Sequence, residues 1–119
     1  MPILEVTSQK SPKDLSAFIK RLSAVFAEHI GKPEAVCLVT FTKADDVCFA
    51  GSNNPAYLVR VGGIDVISEE RNTNVTKAVT HILDEELGIP NDRGFVLFNE
   101  YPSANIGFKD TTFRSILKK

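Results

Sequence analysis

The stretch Ile30-Gly31-Lys32-Pro33 returns fifty-seven positions later as Leu87-Gly88-Ile89-Pro90, and this repetition decides the fold. In each copy a glycine follows the last apolar residue of a helical pattern, and a proline two residues on prevents the helix from resuming. Ahead of the first copy, Leu15, Phe18, Ile19, Leu22, Phe26 and Ile30 recur at helical spacing. They predict a helix over about 12–30, with Ser11 as its cap and Pro12 in its first turn. Ahead of the second copy, Val75, Val79, Ile82, Leu83 and Leu87 predict another helix, capped by Asn72 or Asn74. Strand patterns flank both helices. Residues 2–8 and Ala35–Thr42 surround the first; Tyr57–Val61, ended by Gly62-Gly63, and Arg93–Asn99 surround the second. Shorter strands are predicted at Val47–Ala50 and Ile106–Phe108, with a turn at Gly51–Pro55 between the halves. Two β-α-β halves therefore follow one another, giving an α/β (α+β) fold of the form β-α-β-β-α-β. Each helix is the crossover that parallel pairing within its half requires.

The totals narrow the function. A chain of 119 residues is expected to be one domain, 1–119, with a core but little room for a private active site. Net charge is −1, which offers no basic footprint for nucleic acid or an acidic membrane. No apolar run has the length of a membrane span, and Lys10, Lys13 and Asp14 interrupt any signal-peptide pattern. The expected compartment is the cytoplasm, with a leaderless route for any secreted form. Cys37 and Cys48 have no metal-ligand or CxxC spacing and read as buried free thiols. The runs VCLVTF, YLVRV and FVLF are almost continuously apolar, the pattern of strands buried on both faces. Two helices cover only one face of a four-stranded sheet, so a closed homo-oligomer is expected to cover the other.

The opening Met1-Pro2-Ile3-Leu4-Glu5-Val6 carries the chemistry. Proline at position 2 favours removal of Met1, which leaves a secondary amine as the first atom of the chain. Ile3, Leu4 and Val6 are strand formers that would carry this amine into the core. An α-amine has a pKa of about 7.7–8.0 in water, and apolar surroundings lower it, so such a group could be a neutral base near pH 7; the alternative on these residues alone is that Pro2 only promotes removal of Met1.

Further motifs run nearly end to end: Gly31-Lys32-Pro33, Gly51-Ser52-Asn53-Asn54-Pro55, Ile64, Asp92-Arg93, Asn105-Ile106-Gly107-Phe108 and Thr111-Thr112-Phe113. In this order, behind Met1-Pro2, the chain resembles the macrophage migration inhibitory factor and D-dopachrome tautomerase family over about residues 1–113. The tail 114–119 is a short C-terminal extension. The resemblance implies a homotrimer with sheets around a central barrel and sites at subunit interfaces. It implies that Pro2 is the base of a cofactor-free, metal-free keto–enol tautomerisation of dopachrome or an aromatic 2-oxo acid. Lys32 would bind the substrate carboxylate, Ile64 would line the pocket with its backbone, and Ile106, Phe108 and Phe113 would form an apolar rim.

The chain also departs from that family. The cytokine branch has a tyrosine and an asparagine on the last long strand, donated across the interface, where this chain has Phe95 and Leu97. Neither donates a hydrogen bond. The apolar replacements and Ile3-Leu4-Glu5 lie closer to the D-dopachrome branch. Ala56-Tyr57-Leu58-Val59 lacks the CxxC of some members, so thiol oxidoreductase activity is not expected. His29 and His81 read as helix-surface residues, Asp84-Glu85-Glu86 as a solvated face, and Asn74-Val75-Thr76 as a sequon a leaderless chain would not have glycosylated. Two functions remain: a tautomerase, and a cytokine-like ligand of a cell-surface receptor that keeps the pocket as inherited architecture.

Overall fold

Gly31 and Gly88 end their helices in the left-handed region, at φ 78° and 69°. That conformation is open to glycine and costs other residues about 1–2 kcal/mol. Each cap turns the chain back onto the helix: Gly31 and Lys32 both donate to the Ala27 carbonyl, and Gly88 donates to Asp84 and Leu83. The computed structural model describes residues 1–117. Lys118 and Lys119, the end of the predicted extension, lie outside the described residues.

The two caps close β1 (Ile3–Ser8), α1 (Leu15–Ile30), β2 (Leu38–Lys43) and β3 (Tyr57–Gly63), α2 (Glu69–Leu87), β4 (Gly94–Glu100) into two similar halves. Strand order is β2-β1-β3-β4. Each half pairs its own strands in parallel, and β1 and β3 join the halves antiparallel at the centre. After β4 come a two-residue ladder of β5 (Gly107–Phe108) and β6 (Thr111–Thr112), then the short helix α3 (Phe113–Leu117).

Several boundaries differ from the sequence reading. Helix α1 starts after Asp14, not Ser11-Pro12, because the Asp14 carboxylate accepts from the Ala17 amide at 3.1 Å. Helix α2 starts earlier than Asn72, capped by Ser68 to the Arg71 amide at 3.1 Å. Its first turn holds Glu69 and Glu70, which suit the positive helix end but carry no apolar periodicity. Glu34–Val36 is a single 3-10 turn, so β2 begins at Leu38 rather than Ala35. The strand predicted at Val47–Ala50 is one bridge, Phe49 to Ser52, across a two-residue turn with Ala50 and Gly51 both at positive φ. Gly62 and Gly63 do not end β3 but lie within it.

The core lies between the helices and one sheet face. Leu4, Val6, Val59 and Val61 from the strands meet Phe18, Leu22 and Phe26 of α1 and Val75, Val79 and Leu83 of α2, all fully or almost fully buried. The other sheet face is open in this chain. Phe95 (64% exposed), Leu97 (41%) and Leu38 stand on it at the outer strands. At its centre Glu5 faces Arg60 across the antiparallel pair, with Thr40 in register beside Glu5. This face is therefore less apolar than the strand runs suggested. The thiols are free as predicted, but only Cys37 is half-buried; Cys48 is exposed in the loop after β2, a correction to the buried reading.

Nothing lies within 4 Å of the position a Cβ would take at Gly88, so an alanine there meets backbone strain without a clash. Gly88→Ala should lower the unfolding free energy by about 1–2 kcal/mol at unchanged urea m-value. An unchanged urea midpoint would contradict the requirement for a left-handed cap.

A candidate active site at the first residues of the chain

Strand β1 is hydrogen-bonded on both sides, so the residues before it are carried to the middle of the sheet end. The Leu38 amide donates to the Pro2 carbonyl at 3.0 Å, and Pro2 is buried. On the other side, Gly63 leaves just enough room: a Cβ there would lie 3.1 Å from the Met1 carbonyl and 3.3 Å from the Pro2 Cα. Gly62 is likewise covered by the Tyr101 ring, which a Cβ would strike. Glycine is in the strand because other backbone and ring atoms approach it closely.

The terminal amine here belongs to Met1, and the Pro2 nitrogen is an amide. The Met1 amine occupies the place next to the one Pro2 would take on processing. Met1 lines a cavity of about 350 Å³ together with Lys32, Pro33, Val36, Ile64, Asp65, Phe113 and Leu117. Burial holds this amine below its ordinary pKa, and the Lys32 charge lowers it further, while Cys37 and Glu100 act in the opposite direction. The Cys37 thiol, donated to the Pro33 carbonyl at 3.4 Å, is pushed up chiefly by its own burial. A depressed amine beside a fixed cation can take a proton from an anionic substrate near neutral pH.

Of the residues named from sequence, the structure brings Lys32, Ile64 and Phe113 together around this cavity; Pro2 is not among its walls but follows Met1, which is. Lys32 follows the Gly31 cap and is exposed; Ile64, directly after β3, is half-buried. Ile106 and Phe108 support the rim from behind. The Ile106 carbonyl accepts from the Phe113 amide at 2.9 Å, and the Phe108 and Phe113 rings stack at 5.4 Å. Phe95 and Leu97 do not line the cavity of their own chain; both stand on the open sheet face.

Sequence reasoning missed three features of the surroundings. Asp65, at φ 56°, is held by its amide to Glu100 Oε2 at 2.6 Å. Leu117 reaches the cavity from a tail that had been read only as an extension. Arg93 spans from β4 to the turn beside Phe95: its guanidinium donates to the carbonyls of Phe49, Ser52, Asn54 and Pro55 at 2.8–3.3 Å and lies over the Phe49 ring. Phe49 in turn meets Phe95 edge-on at 5.2 Å. A larger open groove of about 650 Å³ runs along the start of α2 past Ile67, Asn72 and Lys77, away from the amine. Among the described residues no three His, Cys, Asp or Glu side chains gather as metal ligands, and no helix is long and apolar enough to cross a membrane.

Comparison with known proteins adds to this geometry. The family model of macrophage migration inhibitory factor matches residues 1–114. The MIF-like protein mif-2 of Caenorhabditis elegans is 29% identical, with all of both chains aligned. The solved macrophage migration inhibitory factor homologue of Prochlorococcus marinus superposes with a TM-score of 0.86 at 26% identity, over 93% of this chain and 98% of that one. A further solved protein, crystallised after inactivation by 2-oxo-3-pentynoate, shares the fold at a TM-score of 0.84 and 20% identity, over 98% of this chain and 99% of that one.

Because Lys32 depresses the amine, removing its charge should raise the amine's pKa. In Lys32→Gln the pH at which the amine becomes reactive to acylation should move upward, and at fixed neutral pH the reaction should slow. A profile that stays in place or moves downward would show that Lys32 does not act on the amine.

Proposed function

This chain belongs to the macrophage migration inhibitory factor family, and on that premise we propose that, with Met1 removed, it is a keto–enol tautomerase whose base is the Pro2 amine. The observation that carries the reading is the cavity itself, which sets a terminal amine of lowered pKa beside the one lysine among its walls. Removal of Met1 moves the amine one residue inward, to a residue that is buried in this chain. The substrate class is an aromatic 2-oxo acid or a dopachrome-like compound. Lys32 binds its carboxylate, and Ile64 and Phe113 cover its apolar part.

In the keto-to-enol direction the neutral Pro2 nitrogen takes a proton from the carbon next to the carbonyl. The C–H electron pair becomes the C=C bond, and the carbonyl pair moves onto oxygen. The prolinium then returns the proton to that oxygen, so the amine ends neutral and nothing is consumed. Positioned proton transfer of this kind contributes about 10²–10⁴-fold. No cofactor or metal is required by this scheme.

The open sheet face supports a homotrimer as the working unit, since copies of the chain would cover Leu38, Phe95 and Leu97. Phe95 and Leu97 would then reach a neighbour's pocket as an apolar wall. A second reading rests on those same two residues. Without a donor at either position the site holds substrate oxygens through Lys32 alone, which suits a signalling ligand that binds a cell-surface receptor.

The test is turnover of D-dopachrome methyl ester and of phenylpyruvate by Met1-processed protein, beside Pro2→Gly. Activity should fall at least about 100-fold in the variant, with oligomeric state unchanged. Equal activity in both proteins would reject Pro2 as base, and an inactive but intact native protein would favour the ligand reading.

A further inference from the structure

We propose that Leu117 is a specificity-determining residue of the amine cavity, selecting substrates that carry an apolar ring. The inference rests on the tautomerase reading and deepens it. The family model ends at residue 114, three residues before Leu117. Leu117 is part of the cavity wall together with Met1, Lys32 and Ile64.

The geometry follows from α3. Phe113 and Leu117 are four residues apart on a helical turn and therefore share one side of it. That side is turned to the cavity, because both residues line it. The turn is fixed at its start, not free. The Phe113 amide is bonded to Ile106, the Ser115 amide donates to Thr112 Oγ1 at 3.3 Å, and Phe108 stacks on Phe113. Leu117 is 53% exposed, so its apolar surface is available for a ligand to cover. Lys32, the one cation among the lining residues, fixes where the carboxylate goes. A substrate anchored there presents its non-acidic end to Phe113 and Leu117, and a ring fills that space better than a methyl group.

Truncating the wall should remove binding that ground state and transition state share, which raises KM and leaves kcat in place. Leu117→Ala in Met1-processed protein should lower kcat/KM for phenylpyruvate about tenfold, at the low end of the range for lost apolar contact in a pocket. Leu117→Met should restore most of the loss. A small acid without a ring, 2-oxo-3-pentynoate, should label the amine at the native rate in all three proteins. An unchanged KM for phenylpyruvate in Leu117→Ala would overturn the assignment. So would an equal loss of labelling, since the residue would then only hold the cavity open. If native protein neither turns over substrate nor is labelled, the base reading fails and this inference fails with it.

Discussion

Everything in this molecule depends on β1 being the inner strand of the sheet. An N-terminal strand at an edge would leave its first residue in solvent. Here β1 is bonded to β2 on one side and β3 on the other, so residues 1 and 2 enter a space already enclosed. Two requirements follow. The neighbouring strand must yield room, and Gly62 and Gly63 supply it under Tyr101 and beside Pro2. The chain must also return from α1 next to β1, and the left-handed Gly31 cap directs Lys32 and Pro33 to the cavity wall. One geometric fact thus brings together the terminal amine and the cation.

The electrostatics have the same origin. Burial acts first on the amine and the Lys32 charge second, and both oppose protonation. Glu100 opposes them, but its carboxylate already accepts from the Asp65 amide. The open sheet face is a separate matter. Its apolar residues lie on the outer strands and its charges, Glu5 and Arg60, at the centre. Copies of the chain meeting through the outer strands would bury Phe95 and Leu97 while leaving the charged centre facing an enclosed space.

Much of this was legible in the sequence because it rests on local chemistry. The paired Gly–Pro helix ends gave the two halves, and the apolar periodicities gave α1, α2 and the four strands. Helix starts were less legible, since Asp14 and Ser68 were not distinguishable from Ser11 or Asn72 by residue type alone. The difference is which side chain reaches an amide three residues on, which depends on where the preceding loop leaves the backbone. Val47–Ala50 misled because a β-branched and aromatic composition does not guarantee a strand partner. Arg93 and Leu117 were out of reach for another reason. Their roles depend on contacts with segments far away in the chain, such as the Phe49–Pro55 carbonyls and the Met1 amine, and no periodicity encodes those.

Proton chemistry at this site requires that the fold lower the pKa of the terminal amine. The most direct measurement is a nitrogen-15 NMR titration of Pro2 in Met1-processed protein, folded and then unfolded in urea. The predicted result is a lower pKa in the folded chain, rising when Lys32 is neutralised by substitution. A folded value equal to or above the unfolded one would mean that the amine is protonated at neutral pH and that its place in the cavity does no proton chemistry.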